Sequence, residues 1–434
     1  MKTYFYTFGC KVNQYETENI RERLEGLGHT TVSDLKEAEV CIVNSCTVTS
    51  EADKKCRQLL HRIRHDNPGC ILICLGCMTQ AHKEIAERLP ECDIIAGAHN
   101  KTLIPELIDR FMNTGERIVS VTPNDAAKTI EPMSNSSSDG RTRAYIKIQD
   151  GCDMHCSYCI IPNARGHIRS KPPAEIVKEA ETLISSGYRE IILTGINLNC
   201  YGRENGGTLR LSDVIEALNG INEDFRIRLS SLEPELITDD DISRWSKCSK
   251  LCPQFHLSLQ SGSAGILKAM NRHYTPEEYA LLCSKLREAF PGCALTTDIM
   301  VGFPGETEEQ HRESLVFAER IGFAEAHIFQ YSRRPDTPAD RMPGQLDGTV
   351  KHRRAAEMNS VCTRTRREYL ESLVGTVQRV LFEKENCPEY HQGHSDNYTP
   401  VRVLRTSEVS LRRTFGQVLI TNSDGDWCLG ELIR

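Results

Sequence analysis

The sequence predicts a mixed α/β chain in three parts: an amino-terminal parallel-sheet domain, six further βα units forming an open sheet or partial barrel, and a small carboxy-terminal β-barrel. Three observations predict this. Up to about residue 112, short apolar runs alternate with helical patterns, the signature of a parallel sheet. The alternation restarts at Ala144 and continues for roughly 190 residues. From Gly375 onward the character becomes β with tight turns, as in an OB-like barrel. The 434 residues, 39% of them hydrophobic, suffice for several cores.

In the first part, residues 4–8, 40–43, 71–75 and 94–96 read as strands. Glu16 to Leu27 has helical spacing and stops at Gly28, and Thr49 is placed to cap a basic helix reaching about His65. Cys10, Cys46 and Cys77 each fall just past a strand. Loops at the carboxyl ends of parallel strands converge on one crevice, so three cysteines distant in sequence can meet there, which suggests a second three-cysteine cluster. Cys70, Cys74 and Cys77 imitate a cluster spacing. The residues between them are strand formers, however, and an extended strand puts Cys70 roughly 20 Å or more from Cys77. Cys70, Cys74 and Cys41 are therefore read as packing residues.

Residues 119–137 are polar and turn-rich, a composition read as a linker that builds no core. The expected boundaries are 1–118, 119–137, 138–370 and 371–434. In the second part, strands are expected at 144–148, 190–193, 226–229, 255–259, 294–301 and 326–331. The loop after the first holds Gly151-Cys152-Asp153-Met154-His155-Cys156-Ser157-Tyr158-Cys159. Its C-x3-C-x2-C spacing can ligate three irons of a 4Fe–4S cluster and leave the fourth open. Later loops on the same edge carry Gly195, Glu233, Gln260 and Ser261, candidates for holding a polar ligand beside the cluster. The segment from about Thr349 to Glu371 reads as a basic helix, and strands are expected at 377–382, 399–404 and 417–420.

Nineteen cysteines in a chain without a signal pattern point to thiolate chemistry rather than disulfides. With no apolar run of membrane-spanning length, the expected location is the cytoplasm, with no membrane partner. The net charge of −7 excludes a uniformly basic nucleic-acid binder. Local basic sets remain at Lys54, Lys55, Arg57, Arg62 and Arg64, and at Lys351, Arg353, Arg354, Arg364, Arg366 and Arg367. Neither His155, His256 nor His273 receives a role.

Over nearly its whole length the sequence resembles the radical S-adenosylmethionine (SAM) methylthiotransferases. The Cys152–Cys159 loop, including Tyr158, matches that family's cluster loop. The match is made specific by Phe8-Gly9-Cys10-Lys11-Val12-Asn13-Gln14, Asn44-Ser45-Cys46-Thr47 and Gly76-Cys77-Met78-Thr79-Gln80. Gly393-His394-Ser395-Asp396-Asn397-Tyr398 looks like part of the family's RNA-binding TRAM domain. The resemblance implies a Rossmann- or flavodoxin-like first domain, a partial (β/α)6 radical SAM barrel and an OB-like tail. It implies that Cys152, Cys156 and Cys159 hold the cluster that binds SAM, with Tyr158, Gly195, Glu233, Gln260 and Ser261 nearby. It also implies that Cys10, Cys46 and Cys77 hold an auxiliary 4Fe–4S cluster carrying the sulfur unit, with two SAM molecules used per product.

Lys11-Val12-Asn13-Gln14 resembles the branch that methylthiolates C2 of threonylcarbamoyladenosine in the tRNA anticodon stem-loop, with a flavodoxin or ferredoxin as electron donor. Isopentenyladenosine tRNA and a ribosomal-protein aspartate are the alternative substrates within the family. A non-catalytic iron–sulfur RNA-binding protein is the alternative from another class; it predicts no SAM turnover, and the missing fourth cysteine in each trio argues against it.

Overall fold

The computed structural model describes residues 1–433 except 83, 85, 86, 88, 138–140, 384–386, 407 and 408. The first domain is a six-stranded, all-parallel sheet of β1 (Lys2–Thr7), β2 (Thr30–Thr31), β3 (Val40–Ser45), β4 (Ile71–Gly76), β5 (Ile94–Ala96) and β6 (Ile118–Ser120). Their spatial order is β2-β1-β3-β4-β5-β6. β3 and β4 are central and buried at every position, which is why they read as unbroken apolar runs. Apolar clusters built around Leu60 and Leu72 on one face, and Ile20 and Ile73 on the other, sandwich the sheet.

Thr49 caps the Ser50–Asp66 helix as expected, its hydroxyl accepting from the Ala52 amide. The first helix spans Lys11–Gly26, starting well before the expected Glu16 because Cys10 is its extended N-cap.

β6 falls partly inside the expected linker, and the rest of that segment is an ordered strap. Asn124 donates to the Asn163 carbonyl (2.8 Å), Met133 is buried, and the Met133 carbonyl accepts from Tyr15 (2.8 Å) and Lys171 (2.6 Å). Polar composition misled because the strap satisfies its backbone with buried side chains rather than water. The expected start of the second part, 138–140, lies outside the described residues.

The second domain resolves the choice between open sheet and partial barrel. β7 (Arg143–Lys147), β10 (Glu190–Thr194) and β11 (Arg226–Leu229) form one parallel sheet, and β12 (Gln254–His256), β13 (Ala294–Val301) and β14 (Glu325–Gln330) another. Parallel bridges Ile227–Leu251 and Leu232–Leu257 join them in sequential order, giving a six-stranded partial barrel. A short antiparallel pair, β8 (Gln149–Asp150) and β9 (Arg169–Ser170), brackets the cysteine loop.

Strand alternation divides the residues cleanly. Ala144, Ile146, Ile191, Leu193, Ile227 and Leu229 face the outer helices in the main core. Their neighbours in register, Arg143–Glu190 and Ile192–Arg228 among them, line a polar lumen.

The third domain is a closed barrel of β15 (Val377–Phe382), β16 (Tyr390–Ser395), β17 (Pro400–Leu404), β19 (Cys428–Leu432) and β18 (Phe415–Ser423), in that spatial order. Among the described residues no helix is long and apolar enough to cross a membrane.

Candidate functional site

Cys10, Cys46 and Cys77 follow β1, β3 and β4, which are adjacent in the sheet, so their convergence is a consequence of topology. Asn13 ties the three loops together. Its amide donates to the carbonyls of Phe8 (2.8 Å) and Ser45 (3.0 Å), and its Oδ1 lies 3.9 Å from Cys10 Sγ and 4.0 Å from Cys77 Sγ. Gly9, at φ +95°, makes room: a Cβ there would sit 2.9 Å from Cys46 Sγ. Burial and the neighbouring thiols push Cys46 up to about 12, and burial raises Cys10 against the lowering effect of Arg165.

The second trio lies in the loop after β8. Gly151, at φ +76°, opens it, and a Cβ there would strike the His167 carbonyl oxygen at 1.9 Å. The loop is pinned by Ser157, whose amide and hydroxyl donate to the carbonyls of Met270 and Ala269, both at 2.9 Å. Cys156 Sγ accepts from Arg272 (3.5 Å) and Cys152 Sγ from Asn197 (3.9 Å). Burial pushes Cys152 up to about 11 and Cys159 up to about 12, Cys159 further raised by Cys156. Burial raises Cys156 too, opposed by Arg272.

Both trios fit a cluster with an open iron. Their donors are all soft sulfur, which suits iron–sulfur chemistry, and every cysteine among them is a free thiol. Among the described residues no three His, Cys, Asp or Glu side chains converge on one point as a single metal ion requires. A cubane's three cysteines each hold a different iron and need no such point. Beside the second trio, the buried Arg272 Nε and Asn197 Oδ1 lack hydrogen-bond partners among the described residues. An orphaned donor and an orphaned acceptor suit a ligand that offers both.

Behind the first trio lies a buried charge network between the domains. Glu16 is fully buried and pairs with Lys101 (3.1 Å) of its own domain, and with Lys147 (2.7 Å) and Arg165 of the barrel domain. Asp150 pairs with Lys147, Arg165 and Arg169. Burial alone would raise the Glu16 carboxyl; Arg165, Lys101 and Lys147 overcome it and hold the group below the ordinary range.

A cavity of about 190 Å³ opens beside the second trio, lined by Tyr158 and Cys159 of that loop, by Val48 and Thr49 just past Cys46, and by Gln260, Asp298, Met300 and Phe329. Lys11 keeps contact with solvent but is closely surrounded by protein at the lumen, in electrostatic reach of Arg228, Arg143, Glu190 and Asp298. Burial first, and those two arginines next, lower its pKa.

Of the other expected site residues, Glu233 stands beside the second trio, bonded to Arg272. Gln260 lines the cavity at φ +65°. Gly195 packs on Gln149, whose Oε1 would lie 2.9 Å from an added Cβ. Ser261 is turned away, its hydroxyl spent on Ser314 (3.1 Å) and the Ser263 amide (3.2 Å).

Cys74 is buried against Cys56 and Cys92, and Cys70 against Cys41, as the packing reading expects. His256 pairs with Asp298 in the lumen (3.3 Å), a placement only strand register reveals. The second basic set is not a free face: Arg354 pairs with Glu306 and Glu308, Arg353 with Glu308 and Glu357, and Arg364 with Glu319. His394 to Tyr398 is turned inward. Arg226 bonds Asp396 (2.8 Å), and the guanidiniums of Arg228 and Arg143 stack over Tyr398 at 4.6 and 4.8 Å.

Comparison with known proteins agrees with this arrangement. Residues 146–318 match the Radical SAM superfamily, and residues 2–97 match the family described as Uncharacterized protein family UPF0004. The chain is 37% identical to the threonylcarbamoyladenosine tRNA methylthiotransferase MtaB of Bacillus subtilis (strain 168), over 93% of this chain and 91% of the relative. It is 36% identical to a tRNA-2-methylthio-N(6)-dimethylallyladenosine synthase of Clostridium novyi (strain NT), over 84% and 82%. In fold it is similar to the radical SAM methyltransferase TsrM of Kitasatospora setae, with TM-score 0.58 and 15% identity over 78% of this chain and 75% of that one. Cysteine arrangement, barrel and relatedness agree: the chain belongs to the MtaB-type radical SAM methylthiotransferases.

Proposed function

We propose that this enzyme methylthiolates C2 of threonylcarbamoyladenosine in the anticodon stem-loop of tRNA. The observation that carries the reading is the shared cavity. The loop after Cys46 and the loop ending in Cys159 line the same space, so a base placed there meets the loops of both sets of thiols. Cys152, Cys156 and Cys159 hold the 4Fe–4S cluster and SAM that membership of the family implies, and Cys10, Cys46 and Cys77 hold a second cluster. When bound, these groups supply one-electron and sulfur-transfer chemistry that no side chain possesses.

The chain's own residues bind and orient. Asn197 and Arg272 offer the unpaired acceptor and donor a SAM amino acid moiety needs, with Glu233 fixing the guanidinium. Phe329, exposed on strand β14, presents a stacking face for the base. Lys11 makes no hydrogen bond or ion pair among the described residues and faces the lumen, where the carboxylate of a threonylcarbamoyl group would meet it. Lys54, Lys55 and Arg62, exposed on the helix that starts at the cavity, would follow the phosphate backbone. The C-terminal barrel supplies further RNA contact, through faces other than the inward His394–Tyr398 segment. A flavodoxin or ferredoxin in the cytoplasm would deliver the electron.

Mass spectrometry of tRNA nucleosides from a deletion strain tests the reading. Loss of the methylthio form of threonylcarbamoyladenosine alone is the expected result. Loss of methylthio-isopentenyladenosine instead would overturn it.

A further inference from the structure

Arg165 ends the short Ile161–Arg165 helix, the first element after Cys159, yet its side chain crosses into the amino-terminal domain. It is fully buried. Its Nε–H donates to Cys77 Sγ at 3.2 Å, one Nη donates to Asn13 Oδ1 at 2.8 Å, and both Nη groups donate to the Glu16 carboxylate. The guanidinium is therefore clamped in one orientation, with its remaining donor aimed at a sulfur. The surrounding charge is lopsided. Lys101, Lys147, Arg165 and Arg169 share Glu16 and Asp150, with Glu131 also in electrostatic reach of Lys101, four cations to three carboxylates and so a surplus of one positive charge. An uncompensated buried cation is costly, and an anionic thiolate cluster beside it restores the balance.

We propose that Arg165 is a positioning residue for the auxiliary cluster, which fixes Cys77 through its Nε–H···Sγ bond and raises that cluster's reduction potential. The inference rests on Cys10, Cys46 and Cys77 being cluster ligands. Its physical basis is that each added electron increases negative charge on the cluster sulfurs. A hydrogen bond and a fixed cation at one sulfur stabilise the reduced state more than the oxidised one. Because Arg165 follows Cys159 directly by one short helix, the segment that sets the first cluster's loop also touches a ligand of the second.

The test uses the full-length chain carrying Cys152→Ala, Cys156→Ala and Cys159→Ala, reconstituted so that only the auxiliary cluster is present, and titrated with dithionite under EPR detection. Adding Arg165→Gln is expected to lower the ratio of reduced to oxidised cluster at a fixed potential about tenfold, a midpoint shift of about 59 mV in the negative direction for one electron. Arg165→Lys keeps the charge but loses the clamped N–H, and is expected to give a smaller shift of the same sign. A merely structural arginine would change iron content or stability and leave the midpoint of the bound cluster where it was. Parental midpoints in both variants would overturn the proposal. If Arg165→Gln fails to retain iron, the Arg165→Lys midpoint decides, and an unshifted value overturns it. A triple-alanine parent that binds no cluster would overturn the ligand assignment itself and the inference with it.

Discussion

Replacing Glu16 with Gln should loosen the contact between the amino-terminal domain and the barrel. The carboxylate accepts from Lys147 at 2.7 Å, from Arg165 through both oxygens, and pairs with Lys101 at 3.1 Å, all without access to solvent. Gln keeps the shape and one acceptor, but it turns the other oxygen into a donor facing donors and leaves the four cations with Asp150 and, near Lys101, Glu131. Removing one partner from a buried ion pair costs about 3–5 kcal/mol, a large share of the roughly 5–15 kcal/mol that holds a typical domain folded. A three-part chain does not unfold in one step, so the readout is pulse proteolysis across a urea series, scoring cleavage in the strap at 122–137. The midpoint for strap cleavage should fall accordingly, whereas Glu51→Gln, which touches only an exposed Lys55 pair, should not move it. The sign with pH follows. A carboxyl held below its unfolded value contributes stability that is present above pH about 4 and is lost as pH falls further, so acid should weaken the parent more than the variant. A Glu16→Gln cost below about 1 kcal/mol would refute the reasoning, because the buried network would then not be holding the domains together.

Cys156→Ala should abolish 5′-deoxyadenosine production, and unchanged production would contradict its assignment. Cys46→Ala should lose the methylthio product while retaining SAM cleavage and roughly half the iron; full product formation would remove Cys46 from the ligand set. His99, whose Nε2 lies 2.8 Å from Asn124 Oδ1, is pushed down by burial to about 4. Its unfolded value is about 6.5, so stability on the order of 2–3 kcal/mol should be lost as pH falls from about 6.5 to 4; His99→Gln should flatten that slope in urea melts taken across the range. Tyr398→Ala removes a ring packed by two arginines and by His394 (4.7 Å between centroids) and should free the C-terminal barrel. Hydrogen exchange in residues 390–404 should rise, and unchanged protection there would show that the docking rests elsewhere.

What was legible in the sequence follows from what is local. The apolar runs of β3 and β4, the Thr49 cap and the cysteines one loop past successive strands are short-range signals, and each stands where expected. The order of the strap is hidden in the sequence because β6 offers only Ile118-Val119-Ser120, and burial of Met133 comes from contacts made more than a hundred residues away. The early start of the first helix was hidden because Lys11 to Gln14 carries no apolar period. Glu16 and Arg165 lie 149 positions apart, and each looks like an ordinary helix charge. Only the docked domains show that they form one buried network against Cys77. The arginines of the Gly348–Ser372 helix show the reverse case: a basic run that reads equally as an RNA face or an ordinary solvated face is largely consumed by Glu306, Glu308, Glu319 and Glu357.

The central claim is that two separate thiol trios act on one base held between them. Its most direct test incubates the reconstituted enzyme with SAM, a reductant and an anticodon stem-loop bearing threonylcarbamoyladenosine, beside the Cys46→Ala and Cys156→Ala variants, with nucleosides and 5′-deoxyadenosine quantified by mass spectrometry. The account predicts methylthio product only from the parent, and 5′-deoxyadenosine from the parent and Cys46→Ala but not from Cys156→Ala. Methylthio product from either variant would contradict it.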